Sequence, residues 1–290
     1  MPTINFPTAP ATGAEYSYNG KAWRYNGTGW ALTLGKPYGR EALTADRTYY
    51  VATTGSDSAD GLTVGSSFLT IQKAVDTYAS LDTSIYQVTI QVADGTYTNP
   101  VIVKAAVGAN AVIIQGNLTT PANVHINVTG SCFANATPSL VVVVRDMKLT
   151  ATSNGLYASR FGVILFGNII FGACSSYCYA SDGGSIEASS NYFVAGNTTY
   201  GFIALYQSTV SIRARTCTFL ASITVASSLI TALRGGIITV ESSTITLGGY
   251  TVTGKRYSVD AMAMIHGTGN NINFIPGTVA GTVTNGSQYL

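Results

Sequence analysis

The stretch "LYASRFGVILFGNIIF" (156–171) returns three times along the chain, as "CYASDGGSIEASSNYF" (178–193), "FIALYQSTVSIRARTC" (202–217) and "ITALRGGIITVESSTI" (230–245). Anchored on Ile164, Ile186, Val210 and Ile238, the copies lie 22, 24 and 28 residues apart. Six residues before each anchor stands an alanine: Ala158, Ala180, Ala204 and Ala232. Two before stand Gly162, Gly184, Ser208 and Gly236; four after stand the small residues Asn168, Ser190, Ala214 and Ser242. Seven after, the copies place Phe171, Phe193, Cys217 and Ile245. A weaker fifth copy is anchored on Val142, with Ala136 six before it and Leu149 seven after.

Apolar residues at alternate positions read as strands, and the small residues between them read as corners. Neither a sandwich nor a meander requires alanine at the same place in every repeat. A coil stacked on its own copies does, because like positions then lie one strand spacing (~4.8 Å) apart. Twenty-two to 28 residues per turn suits three short strands and three turns. The expected fold is all-β, a right-handed single-stranded parallel β-helix with an inward alanine ladder.

Upstream of the repeats, residues 51–76 change character. A Gly/Ser/Asp loop leads into Phe68, Ile71, Ala74, Val75 and Tyr78, an apolar stripe at helical spacing. Ser66 or Ser67 offers an N-cap oxygen, and the helix is predicted over 68–80. The first coil of a solenoid exposes a backbone edge and an apolar interior, so a short capping α-helix belongs there. Residues 1–40 are a separate piece, with Tyr-Asn-Gly-x-x-Trp repeated at Tyr18–Trp23 and Tyr25–Trp30. Asn-Gly between alternating aromatic flanks predicts a small hairpin module with Trp23 and Trp30 on one face. Too small for a core of its own, it is expected to rest on a partner. The expected organisation is a β-hairpin adaptor (1–45), an entry strand, loop and capping helix (46–84), the β-helix (85–254) and a C-terminal cap or tip (255–290).

Composition narrows the function. Charged residues are 10% of the chain, against about 25% in ordinary domains, so Gly, Ser, Thr, Asn and Tyr solvate the surface. The net charge is +2 with no basic cluster, which argues against a nucleic-acid partner. No apolar run reaches the ~20 residues of a membrane span, and the N-terminus lacks a signal-peptide pattern. The four cysteines and two histidines show no zinc spacing; the cysteines read as small buried hydrophobes, with a disulfide as the alternative. No metal or cofactor is expected.

The segment "YYVATTGSDSADGLTVGSSFLTIQKAVD" (49–76) resembles the entry segment of right-handed β-helix proteins in phage tail fibres, tailspikes and related virion fibres. Tyr50, Val51, Gly55, Asp57, Asp60, Gly61, Phe68, Thr70, Ile71, Gln72 and Ala74 carry the likeness. The Pro-rich, Tyr/Trp/Asn-Gly N-terminus is similar to head-proximal segments of phage fibres. The ending "NFIPGTVAGTVTNGSQYL" (273–290) is similar to the C-termini of fibre proteins from phages and prophages of alphaproteobacteria. The resemblance implies a virion protein made in the host cytoplasm without a signal peptide. It implies attachment to tail, collar or capsid proteins through Tyr18, Trp23, Tyr25 and Trp30, with host surface polysaccharide as a further partner.

Tailspikes of this kind are often polysaccharide hydrolases or lyases, so the acidic residues bear on function. Hydrolysis needs two carboxylates ~5–9.5 Å apart. Asp182 and Glu187, five residues apart in one turn, are the candidate pair for a depolymerase, the alternative to a non-enzymatic fibre. Their sequence neighbours are Ser and Gly, without an aromatic wall, and Arg160 one coil earlier predicts an outward ion-pair ladder with Asp182. Asp57 and Asp60 lack the spacing of a calcium loop and read as turn-forming residues.

In the same register, anchor −1 and +1 side chains point outward. Late coils carry Ser185, Glu187, Thr209, Ser211, Ile237 and Thr239 there, mostly polar, but the two earliest carry Val141, Val143, Val163 and Leu165. A contiguous aliphatic patch asks for burial. Either a covering loop or identical subunits would provide it. Closed symmetry makes the second self-limiting, and the phage resemblance implies a homotrimer with its axis along that patch.

Overall fold

The computed structural model describes residues 5–18, 21–33, 40–108, 111–267 and 273–290. Parallel strands stack into a β-helix of about eight turns, with one α-helix. The anchors pair as read: Ile164 with Ile186, Ile186 with Val210, and Val210 with Ile238. The column runs upstream through Val142, Val112 and Val88 and downstream to Ile265. All of these side chains are buried. Ala158, Ala180, Ala204 and Ala232 likewise pair in succession and are wholly buried. The helical register thus follows from two columns of side chains of fixed volume.

The register departs from expectation at two places. In the fifth copy Asn135, not Ala136, pairs with Ala158. The Asn135 amide donates to the carbonyls of Leu140 and Val163 at 2.9 and 3.0 Å, so a polar residue is satisfied inside the corner. Farther round the coil, Phe171 pairs with Val194 and Val194 with Phe219, whereas Tyr192 pairs with Cys217 and Cys217 with Ile245. Phe193 therefore faces outward. The cause is corner length: two residues separate Phe166 from Ile169, three separate Ala188 from Tyr192, and four separate Ile212 from Cys217. The slip brings Phe166, Phe171, Tyr177, Tyr192 and Phe202 together inside, with ring centroids 5.3–6.3 Å apart.

The helix spans Ile71–Ala79, and its N-cap is Thr70, whose hydroxyl accepts from the Lys73 amide at 3.1 Å. Ser66 is spent elsewhere, in a capping box with Thr63. Asp57 moves the helix start: its carboxylate accepts from the Leu69 and Thr70 amides at 2.9 Å each and from the Thr70 hydroxyl at 2.8 Å. The chain is held extended there, and Phe68 instead bridges Val51. Ile71, Ala74, Val75 and Tyr78 are buried against strands Arg47–Val51, Val88–Val92 and Val101–Ile102. Gln72 covers the free edge of the last of these: its Oε1 accepts from the Ile102 amide at 2.8 Å and its Nε2 donates to the Ile102 carbonyl at 3.2 Å. A side-chain amide thus stands in for a missing strand.

At the far end, strands Val252–Asp260, Met264–His266, Thr282–Val283 and Gln288–Tyr289 stack in the same register. The segment read from sequence as a cap or tip, 255–290, thus carries coils.

The corner after the alanine column is built differently. Its two central residues both have positive φ: Arg160 and Phe161 (51° and 63°), Asp182 and Gly183 (51° and 75°), Tyr206 and Gln207 (53° and 60°), Arg234 and Gly235 (53° and 74°). The turns close by i+3→i bonds, Gly162 to Ser159, Gly184 to Ser181, Ser208 to Leu205 and Gly236 to Leu233, at 2.8–3.2 Å. Two positive φ values and that bond mark a type I′ turn, which favours Asn-Gly. Ala261–Met262 repeats the two positive φ values (56° and 59°), as does Asn285–Gly286. The pairs 160–161, 206–207 and 261–262 hold this geometry without glycine, at roughly 1–2 kcal/mol per residue.

Candidate functional site

Three surfaces contain the residues singled out in sequence. The first is the N-terminal sheet of strands Glu15–Tyr18, Lys21–Tyr25 and Trp30–Thr33. Tyr16 lies opposite Trp23, and Tyr25 opposite Trp30, which places both tryptophans on one face. The turn Asn26–Gly29 is held by the Asn26 side chain, whose Oδ1 accepts from the Thr28 and Gly29 amides at 2.9 and 2.8 Å. The other Asn-Gly, at 19–20, lies outside the described residues. The sheet does not leave its aromatics bare. Phe6 stacks on Trp30 at 5.2 Å and meets Trp23 edge-on at 5.3 Å, so Trp23 is only 8% exposed. A preceding segment absent from the hairpin reading provides that cover. Tyr18, at 38% exposure, and the half-exposed Tyr25 and Trp30 remain open to solvent.

The second surface is the outer face of the long sheet, the one that carries the anchor column from Val88 to Ile265. Val141 pairs with Val163 and Val143 with Leu165, and all four are half-exposed. Ile113, paired with Val143 on the other side, extends the patch. The sequence reading stopped one coil short of it because the repeat weakens upstream of Val142. On the next strand the face turns polar, with Ser185 beside Val163 and Glu187 beside Leu165.

The third contains the carboxylates. Asp182 and Glu187 do not share a site. Glu187 lines a groove of about 270 Å³ with Arg213, Arg215, Glu241 and Ser242. Glu241 there also approaches His266, Oε2 to Nδ1 at 3.7 Å. Asp182 lies round the corner, in a groove of about 470 Å³ with Phe161, Tyr206, Gln207 and Arg234. The candidate pair is parted because the type I′ turn separates position 182 from the strand that begins at Ser185. The expectation of no aromatic wall fails, since Phe161 and Tyr206 arrive from the neighbouring coils. No Arg160–Asp182 ion pair forms among the described residues. Both side chains project into solvent, where attraction is weak, and Asp182 accepts from the Ser181 hydroxyl at 3.0 Å.

Other polar groups have structural work. Asp146 is buried; it accepts from the Asn168 amide at 2.8 Å and lies 3.5 Å from Arg145. Asp60 accepts from the Leu62 amide at 3.0 Å and the Ser66 hydroxyl at 2.6 Å, and these bonds, Ser66 first, hold its carboxyl below the usual range. Cys132, Cys174, Cys178 and Cys217 are buried free thiols. Burial pushes them up, Cys174 and Cys217 to about 12, so they are poor nucleophiles. Among the described residues no group of three or more His, Cys, Asp or Glu could hold a metal ion, and no helix is long and apolar enough to cross a membrane. Comparison of the chain with protein-family models, curated proteins and solved structures gives no match.

Proposed function

We propose that this chain is a structural fibre or spike subunit of a tailed-bacteriophage virion, assembled as a homotrimer and joined to the tail, collar or head through residues 1–45. The observation that carries the reading is the outer face of the long sheet. Ile113, Val141, Val143, Val163 and Leu165 make an aliphatic patch on three adjacent strands, which identical subunits would bury around a common axis. Among the described residues the aromatic N-terminal sheet pairs with no strand of the β-helix, and its Tyr18 is exposed where a partner would bind. The entry segment resembles that of phage fibres, and here Asp57, Phe68 and Gln72 of that segment build the covered end of the solenoid.

Light scattering on purified protein should give about three times the chain mass, and Val143→Asp with Leu165→Asp should bring it to one. Antibody decoration of particles in the electron microscope should place the chain on a projecting fibre, and removal of residues 1–40 should abolish incorporation. A monodisperse monomer, or truncated protein that still joins the particle, overturns the corresponding part. A polysaccharide depolymerase is the alternative reading, and Asp182 and Glu187, which line separate grooves, would have to act there apart. Release of new reducing ends from host polysaccharide, abolished by Asp182→Asn or Glu187→Gln, would support it.

A further inference from the structure

Three aromatic rings of the N-terminal sheet form a slot that is already filled. Tyr16, Trp23 and Trp30 lie on one face, and the Phe6 ring enters between them. It stacks on Trp30 with an interplanar angle of 13° and meets Trp23 and Tyr16 edge-on at 5.3 and 5.4 Å. A flat ring fits such a slot better than an aliphatic chain, because stacked and edge-on contacts both need a planar group. A cation also suits an aromatic cage, but Glu15, the one carboxylate on the three strands, alternates to the opposite face.

The segment that brings Phe6 there is weakly held. Residues 5–10, Asn-Phe-Pro-Thr-Ala-Pro, take part in no hydrogen bond among the described residues. The chain is tied down only from Ala11 onward: the Ala14 amide donates to the Ala11 carbonyl at 2.9 Å, and the Gly13 amide to the Tyr25 carbonyl at 2.8 Å. To fold back over the face the chain turns at Ala9, whose φ of 59° an L residue rarely adopts. Pro7 is exposed. The Phe6 ring is therefore the principal hold.

Such a segment can be displaced. A rival with an aromatic ring followed by proline is held extended by its proline. It also gains what Phe6 lacks, backbone bonds to the outer edge of Trp30–Thr33, which pairs on one side only among the described residues. A second copy of the chain must first empty its own slot to offer the same segment, so exchange between copies gains nothing. It also competes with a segment tethered at roughly millimolar effective concentration. We propose that the slot between Tyr16, Trp23 and Trp30 binds an extended aromatic-proline segment of a partner protein, and that residues 5–10 fill it in the free chain as a displaceable stand-in. That the partner belongs to a virion rests on the fibre reading above; the binding and the displacement do not.

The probe is a synthetic peptide of residues 3–12, blocked at both ends and titrated into the full chain. Tryptophan emission follows the slot, since Trp23 and Trp30 are the only tryptophans of the chain. Phe6→Ala should bind the peptide at least about tenfold more tightly than wild type, because the fraction of open slot enters the apparent affinity directly. Ala9→Gly, which eases the bend and keeps the slot filled, should bind it more weakly than wild type. The peptide with alanine in place of its phenylalanine should not bind, nor should tetramethylammonium as a cationic arm. A slot that loosens without Phe6 would show red-shifted emission that the peptide reverses, so it reports binding too. Equal affinity of wild type and Phe6→Ala, no binding by Phe6→Ala, or binding of either control overturns the inference. A photo-cross-linker placed at position 6 should mark its own chain; a mark on a second copy would mean exchange between copies and overturns the assignment to a partner protein. Antibody decoration of particles scores the fibre reading separately, so a failed slot and a failed fibre reading give different results.

Discussion

Only two residues separate Ala158 from Phe161, yet the two positions obey opposite rules. The alanine column repeats one residue type over four coils because each side chain has only the neighbouring alanines and the strands around it. The turn column, at the same corner but on its outer side, repeats the backbone angles and varies the residues: Phe161, Gly183, Gln207, Gly235, Met262, Gly286. Inside, stacking dictates the side chain. Outside, stacking dictates only the backbone, and the side chain is available for other uses even where it strains the turn.

This contrast sets the order of expected effects. The largest lies within the aromatic interior, where Phe171→Ala should destabilise by about 3–5 kcal/mol, read from urea unfolding. Its ring contacts Phe166, Tyr177, Tyr192 and Phe202 at once. Ala204→Leu should cost roughly 1–3 kcal/mol by overpacking between Ala180 and Ala232; a variant as stable as wild type would break the claim that the column admits one size. At the turn the sign should invert. Arg160→Asn with Phe161→Gly should stabilise by about 1–2 kcal/mol in the same assay, and a loss would show that the bulky pair is the preferred one.

The smallest effect concerns the entry loop. The Asp60 carboxyl is held below its ordinary value of 3.8 by the Ser66 hydroxyl and Leu62 amide. Its contribution is therefore complete above the unfolded value and disappears as pH falls through the lower folded one. Titration of the Leu62 amide resonance should show a midpoint below 3.8 in wild type, and that transition should vanish in Asp60→Asn. A midpoint at or above 3.8 would sharpen the contrast the other way, toward a loop held by its backbone alone.

The interior was readable in the sequence because volume at the anchor and alanine positions is fixed by neighbours above and below. Phe193 was misread because corner length, which sets the later register, is free to drift by a residue per coil without penalty to the strands. The helix start was misread because Asp57 acts on Leu69 and Thr70 across 12 and 13 residues, beyond any local capping signal. The Phe161–Tyr206 groove was invisible for a different reason. Turn chemistry predicts Asn and Gly at such corners, so Arg-Phe and Tyr-Gln do not announce a turn. The split between Asp182 and Glu187 followed from the same unseen turn.

The pairing pattern also has a mechanical consequence. Successive coils are joined on three sides at once, as at Val163–Phe166 with Ser185–Ala188, Ile170–Phe171 with Phe193–Val194, and Cys174–Ala180 with Thr198–Ala204. These bonds run along the solenoid axis. A pull along that axis loads all three ladders of one coil boundary together, and none can break before the others stretch. A bend instead opens one side first and leaves the opposite ladder as a hinge. The molecule is therefore stiff in tension and most easily damaged by leverage.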